Sequence, residues 1–183
     1  EGYPGHHIYN ALLEMGLVRS RGWQEYSVYP LYSPQSLVAE GTATYGVDMA
    51  FPGDERLIYE RDTLYPLAGL DVAKAADYQR VQDQLKKLSY AGNEAARRYV
   101  DGEIDAKAAA DWLEMYELYT PRERAEQRVK FIDQYRSYVI NYNLGYDMVR
   151  KYVETKGGSD PAARWKVFIG ILTSPRLPAG LAV

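Results

Sequence analysis

Apolar residues recur about every 3.6 positions along most of the chain, which is the spacing of one face of an α-helix. No alternating stretch is longer than about four residues, so the pattern gives no sign of strands or hairpins. The sequence therefore predicts an all-α fold, a bundle of long helices. The predicted helices cover 8–18, 34–51, 55–69, 71–100, 106–119, 120–154 and 161–173.

Turn and capping residues set the expected limits of these helices. Ser33 and Pro34 have the character of an N-cap and a first-turn proline, and Pro66 is expected to kink or end its helix. The stretch TPRE at 120–123 has the spacing of a capping box. The Pro-rich stretch 174–180 is expected to form a tail. On the long helix over 71–100, the predicted inner face consists of Val72, Ala75, Ala76, Val81, Leu85, Leu88 and Ala95.

Length, charge and cysteine content narrow the class of protein. A chain of 183 residues with 46% hydrophobic and 26% charged residues fits a single helical domain over 1–183. The net charge of −3 gives no reason to expect a nucleic-acid partner, and no apolar run is long enough for a membrane span. The absence of cysteine excludes disulfides, a thiol nucleophile and Cys-type zinc sites, but it leaves the cellular compartment open.

Both histidines of the chain lie in its first seven residues, EGYPGHH. Neutral imidazoles and carboxylates suit zinc, and in the H-E-x-x-H motif the Glu beside the first His is the general base. Glu1 has the position of that Glu, so the first His is expected directly before it. The first seven residues therefore predict a zinc-binding motif whose first His is expected one position before Glu1.

A regular helix brings neither histidine to that site. Counted from the position before Glu1, His6 lies about 240° round the helix, and His7 lies about 10.5 Å further along its axis. Two ligands of one zinc ion, each about 2.1 Å from the metal, cannot be so far apart. Pro4 removes a helical hydrogen bond and Gly5 relaxes the backbone, so we expect the helix to bulge there. The bulge brings one histidine to the metal, with His6 preferred over His7.

The stretch EGYPGHHIYN at 1–10 resembles the H-E-x-x-P-G-H-H motif of a bacterial family filed as domain of unknown function 885, whose members are similar to zinc peptidases. AEGTATY at 39–45 resembles the family's E-G-W-A-x-Y segment, with Thr42 where Trp is usual. YNLG at 142–145 and FIGILTSPRLPAG at 168–180 resemble later segments in the same order. The resemblance implies a zincin-like helical metallopeptidase fold. It also implies that this chain is the C-terminal portion of a longer protein, with the N-terminal remainder as its partner.

The resemblance also implies the roles of the site residues. By position, Glu1 is the general base, His6 is a zinc ligand with His7 as its neighbour, and Glu40 is the third ligand. The helix pattern agrees with a special role for Glu40, because a buried unpaired carboxylate is unfavourable and a metal ion would compensate its charge. Glu40 shares its helix face with mostly buried positions, namely Leu37, Thr44 and Val47.

Four further polar residues are weaker candidates. Tyr142 is expected to donate its hydroxyl to the oxyanion that develops during the reaction. Asp48 lies two turns after Glu40 and is a candidate to orient a histidine. Arg128 and Arg136 are candidates to bind a substrate carboxylate, although surface ion pairs explain them equally well.

The predicted activity is a zinc-dependent, peptidase-like hydrolase that acts on a peptide or small amide substrate. Two other functions stay open: a non-catalytic helical binding module derived from a peptidase, and a metal hydrolase of a non-peptide amide or ester. Each site residue also has a structural explanation. The histidines can cap a helix or bond in the core, Glu40 can face solvent, and Tyr142 can belong to a packed tyrosine stripe.

Overall fold

A computed structural model describes residues 2–183, without the side chains of Tyr3 and Pro4. Across the described range the chain is helical and forms no strand, which confirms the all-α prediction. The α-helices are α1 (Ile8–Leu13), α2 (Pro34–Ala50), α3 (Glu55–Tyr59), α4 (Tyr65–Leu67), α5 (Ala75–Val100), α6 (Ala106–Tyr116), α7 (Arg122–Tyr135), α8 (Asn143–Gly157) and α9 (Pro161–Leu172). Wider π-helical turns cover Gly2–His7, Glu14–Arg19 and Glu60–Leu64.

The chain divides into two compact units. One comprises the residues up to Phe51 together with Ile140–Val183, and the other comprises Pro52–Val139. The prediction of one domain over 1–183 stays a prediction. No helix among residues 2–183 is both long and apolar enough to cross a membrane, in line with the expectation from the sequence.

The first unit is built round α2. This helix packs against α8 and against the π-helical turn Gly2–His7, while α9 packs on α8. Because α2 has neighbours on several sides, it is buried continuously from Ser36 to Ala43. The core residues are Tyr9, Leu13, Leu17, Val38, Ala39, Tyr45, Met49, Val149, Val153, Phe168, Ile171, Leu172 and Leu181.

The second unit consists mainly of α5, α6 and α7, which pack against one another. Small residues allow this packing, since the interior positions are largely alanines. The predicted inner face of α5 is therefore only partly correct. Ala75 and Ala95 are buried as expected, but Val72 and Val81 are exposed, because the buried residues of α5 cluster in its C-terminal half.

The continuous helix predicted over 120–154 is wrong. The backbone of Arg136 has a φ of 52°, in the left-handed region, and this ends α7. A 3₁₀ segment, Arg136–Asn141, then leads to α8. The predicted capping box is also absent, because α7 begins at Arg122 and the N-cap position is held by Pro121, which has no side-chain donor or acceptor.

The sequence predicted the start of α9 correctly, but it predicted the segment after α9 only in part. Asp160 caps α9 by accepting hydrogen bonds from the backbone N–H groups of Ala162 and Ala163. The tail predicted over 174–180 is wrong in part. Residues Pro178–Leu181 form a 3₁₀ turn that carries Leu181 into the core.

Candidate metal site

Glu40 and His6 lie side by side in the first unit. Oε2 of Glu40 is 3.1 Å from Nε2 of His6, which is hydrogen-bond distance with the imidazole as donor. Glu40 is only 7% exposed, whereas His6 is half-buried. An imidazole nitrogen and a carboxylate oxygen, separated by 34 residues in sequence, therefore converge at one place, and both are groups that zinc binds.

Gly5 explains how the first turn comes so close to α2. A Cβ atom at this position would lie 2.7 Å from Cα of Ala43, closer than packed side chains allow. The turn itself is π-helical over Gly2–His7, so its backbone is wider than a regular α-helix. The expected bulge is thus present in the backbone, and Gly5 lets it pack directly against α2 one turn after Glu40.

The other predicted site residues differ in exposure and position. His7 is exposed, next to His6 in the same turn. Tyr142 is half-buried at the N-cap position of α8, three residues before Gly145. Glu1 lies outside the described residues. The structure records a contact between two of the predicted ligands, His6 and Glu40.

Asp48 has a different partner from the one expected. Its carboxylate accepts a hydrogen bond of 2.6 Å from the hydroxyl of Tyr146 on α8, so Asp48 bonds a tyrosine rather than a histidine. Burial, together with this hydrogen bond, raises the pKa of Tyr146. Arg128 and Arg136 belong to the second unit, where Arg128 lies over the ring of Phe131.

Within residues 2–183 no group of three His, Asp or Glu side chains is arranged to hold a metal ion. The two donors that converge, His6 and Glu40, fit part of a zinc ligand set. A buried carboxylate beside an imidazole is donor chemistry that zinc accepts, and the pair would need further ligands to complete a zinc site.

Tyr29 is a neighbour of Glu40 that was not predicted from the sequence. Its hydroxyl donates to Oγ of Ser36 at 3.0 Å. Burial raises the pKa of Tyr29, the bond to Ser36 lowers it, and the negative charge of Glu40 raises it further, so Tyr29 lies within electrostatic reach of Glu40. The sequence offers one indication of this neighbourhood. Ser36, the partner of Tyr29, lies four residues before Glu40 and thus on the same face of α2.

Comparison with known proteins gives no match to a family model, to a curated protein or to a solved structure. The site is therefore interpreted from its own residues and from the resemblance of its motifs.

Proposed function

We propose that the protein is a zinc-dependent hydrolase that cleaves an amide bond in a peptide or small amide substrate. The relationship to the family filed as domain of unknown function 885, and a zincin-like fold, belong to the same proposal. The single observation that carries it is the contact between His6 Nε2 and Glu40 Oε2, because the family resemblance implies a zinc-binding role for both of these side chains.

Burial supports a functional explanation for Glu40. A carboxylate in a continuously buried stretch of helix is unfavourable unless it is paired or bound to a cation. His6, which is half-buried, lies 3.1 Å from this carboxylate and is charged only when protonated. A divalent cation would compensate the carboxylate fully and would also use the imidazole as a neutral ligand.

The proposed ligands are His6, Glu40 and the His expected directly before Glu1. When bound, zinc supplies a Lewis acid that lowers the pKa of a water molecule towards 7 and polarises the substrate carbonyl. Glu1 takes the proton of the attacking water and passes it to the leaving amine. Tyr142 donates its hydroxyl to the oxyanion. His7, exposed beside His6, is left to contact substrate.

A substitution of the proposed base tests this activity. In the full-length protein, Glu1→Gln should retain zinc but lower the hydrolysis of a fluorogenic peptide by roughly 10²- to 10⁴-fold, because a neutral amide cannot accept the proton. The control is Glu25→Gln, which changes an exposed carboxylate and should leave the rate unchanged.

Three results would contradict parts of the proposal. A fully active Glu1→Gln variant would remove Glu1 from the role of base. A wild-type protein that binds zinc but cleaves esters or non-peptide amides instead of peptides would change the substrate class. A protein with no hydrolytic activity on any of these substrates would favour the non-catalytic binding module.

A further inference from the structure

Glu117 and Arg128 in the second unit are ionisable side chains that each bury an atom without a hydrogen-bond partner. Oε2 of Glu117 and Nε of Arg128 are both enclosed by the protein and make no hydrogen bond. The charge of Arg128 nevertheless acts on the carboxyl group and lowers its pKa. Because buried polar atoms without partners are rare and unfavourable, this arrangement is not the most favourable one for an ionised carboxylate.

The carboxyl group of Glu117 lies against Gly92 of α5. A Cβ atom at position 92 would collide with Oε2 and would lie 3.0 Å from Cδ of Glu117. Gly92 is buried within α5, where glycine is less favourable than alanine for the helix itself. The glycine thus leaves room for the carboxyl group between α5 and the end of α6.

This position favours a neutral carboxyl group. Burial raises the pKa of Glu117 to about 7, above its ordinary 4.5, so the group keeps its proton where exposed carboxyls have lost theirs. Glu117 is also the C-cap residue of α6, where the helix dipole disfavours negative charge. Of the surrounding elements, α5 contributes the uncharged Gly92, α6 contributes Glu114, which is paired with Arg122, and α7 contributes Arg128. Arg128 is therefore the cation whose charge acts on Glu117.

We propose that Glu117 and Arg128 form a proton-controlled switch in the second unit. With its proton, the carboxyl group packs on Gly92. When it releases the proton to solvent, the carboxylate turns away from Gly92 and accepts a hydrogen bond from Nε–H of Arg128. The backbone stays in place, because the N–H of Glu117 is bonded to the carbonyl of Leu113 at 3.0 Å. The contact between α5 and the end of α6 then depends on pH, independently of the proposed hydrolase activity.

An NMR titration of the ¹⁵N-labelled full-length protein from pH 4 to pH 8 tests the switch. The Nε–H signal of Arg128 reports the new hydrogen bond and should move downfield as the pH rises, with a midpoint between 4.5 and 7. The midpoint lies below 7 because the new bond favours the ionised carboxylate. The indole N–H of Trp112 donates to the carbonyl of Ala91, next to Gly92, and its signal should change with the same midpoint.

Three variants separate the parts of the switch. Glu117→Gln cannot ionise, so both signals should lose this dependence on pH. Gly92→Ala places a methyl group where the carboxyl group packs, so the midpoint should fall by about 1 pH unit. Glu123→Gln is the control, since it changes an exposed carboxylate and should keep the wild-type midpoint.

Two results would overturn the switch. The first is an Arg128 signal that does not change between pH 4 and pH 8 in the wild type, and the second is a change that persists in Glu117→Gln. A wild-type midpoint in Gly92→Ala would overturn the contact with Gly92 as the protonated position. Glu117→Gln keeps the size of the side chain, so it provides the test even where Gly92→Ala does not fold, as checked by circular dichroism.

Discussion

Glu40 is the residue whose chemistry is hardest to explain by packing alone. It lies on a helix that is buried from Ser36 to Ala43, where an apolar side chain would be more favourable. It contacts the imidazole of His6, and its negative charge adds to the effect of burial in raising the pKa of Tyr29. A buried carboxylate with such neighbours is a common feature of functional sites, and this supports a ligand role for Glu40.

Glu117, in the second unit, is a half-buried carboxylate. Its Oε2 atom is buried without a hydrogen-bond partner and lies against Gly92 of α5. Burial raises the pKa of Glu117 to about 7, and the charge of Arg128 offsets this only in part. Because Arg128 also has a buried Nε without a hydrogen-bond partner, the two side chains do not satisfy each other.

The pKa of Glu117 predicts how the stability of the protein depends on pH. In the unfolded chain this carboxyl has its ordinary pKa of 4.5, so between about 4.5 and 7 the folded state binds a proton that the unfolded state has released. The free energy of unfolding should therefore fall as the pH rises through this range and should level off above it. Glu117→Gln should be more stable than the wild type at pH 8 by about 1 kcal/mol, a value reduced for the solvent that reaches the side chain.

Urea unfolding at pH 5 and pH 8 checks this prediction. The control is Glu123→Gln, which changes an exposed carboxylate of α7. An equal dependence on pH in the wild type and in Glu117→Gln would show that Glu117 does not hold its proton in the folded state.

At the scale of helices, two glycines determine how closely α2 and α8 approach. A Cβ atom on Gly145 would lie 2.5 Å from the backbone carbonyl oxygen of Leu37, and one on Gly41 would collide with the backbone of Gly145. Backbone atoms cannot move aside as a flexible side chain can. The crossing of α2 and α8 therefore requires glycine at both positions.

Substitution at this crossing should strongly destabilise the first unit. Gly145→Ala is expected to lower the free energy of unfolding by about 3 kcal/mol, because the added methyl group forces the two helices apart. In α9, Gly170 has open space beside it, so Gly170→Ala should be neutral or stabilise by up to about 1 kcal/mol. Urea unfolding of both variants measures the difference. Equal stability of the two would mean that the close approach of α2 and α8 is not required.

Gly5 has the same role between the first π-helical turn and α2. Gly5→Ala should lower the free energy of unfolding by about 1–3 kcal/mol and should weaken zinc binding, since it moves His6 away from Glu40. Gly2 lies in the same turn with open space around it, so Gly2→Ala is the matched control. Urea unfolding and zinc titration check both effects. An unchanged zinc affinity in Gly5→Ala would show that the packing of Gly5 against α2 does not affect the proposed metal site.

At the scale of the whole molecule, the sequence predicted the helical class well and the helix limits less well. Periodicity identified α5, and capping and turn residues identified the limits of α2 and α9. It could not predict the break at Arg136, since the apolar pattern continues across this residue and only its backbone conformation ends the helix. It also did not predict the burial of Leu181, which belongs to the core of the first unit.

For the candidate site, too, one part was predictable from the sequence and another part was not. The motifs placed His6 and Glu40 together, and the structure records their contact. The role of Ser36 in fixing the preceding loop was not predictable, because it depends on a tyrosine seven residues away and on a backbone carbonyl. The resemblance thus pointed to both side chains, whereas the hydrogen bonds around Ser36 required coordinates.

The zinc content of the full-length protein is the most direct test of the proposed site. The purified wild type should contain roughly one zinc ion per chain, and Glu40→Gln should contain less than about a tenth of that, with an unchanged helical circular dichroism spectrum. Glu25→Gln is the control and should keep the wild-type content. A wild type without zinc, or a Glu40→Gln variant with full zinc content, would contradict the assignment of Glu40 as a metal ligand.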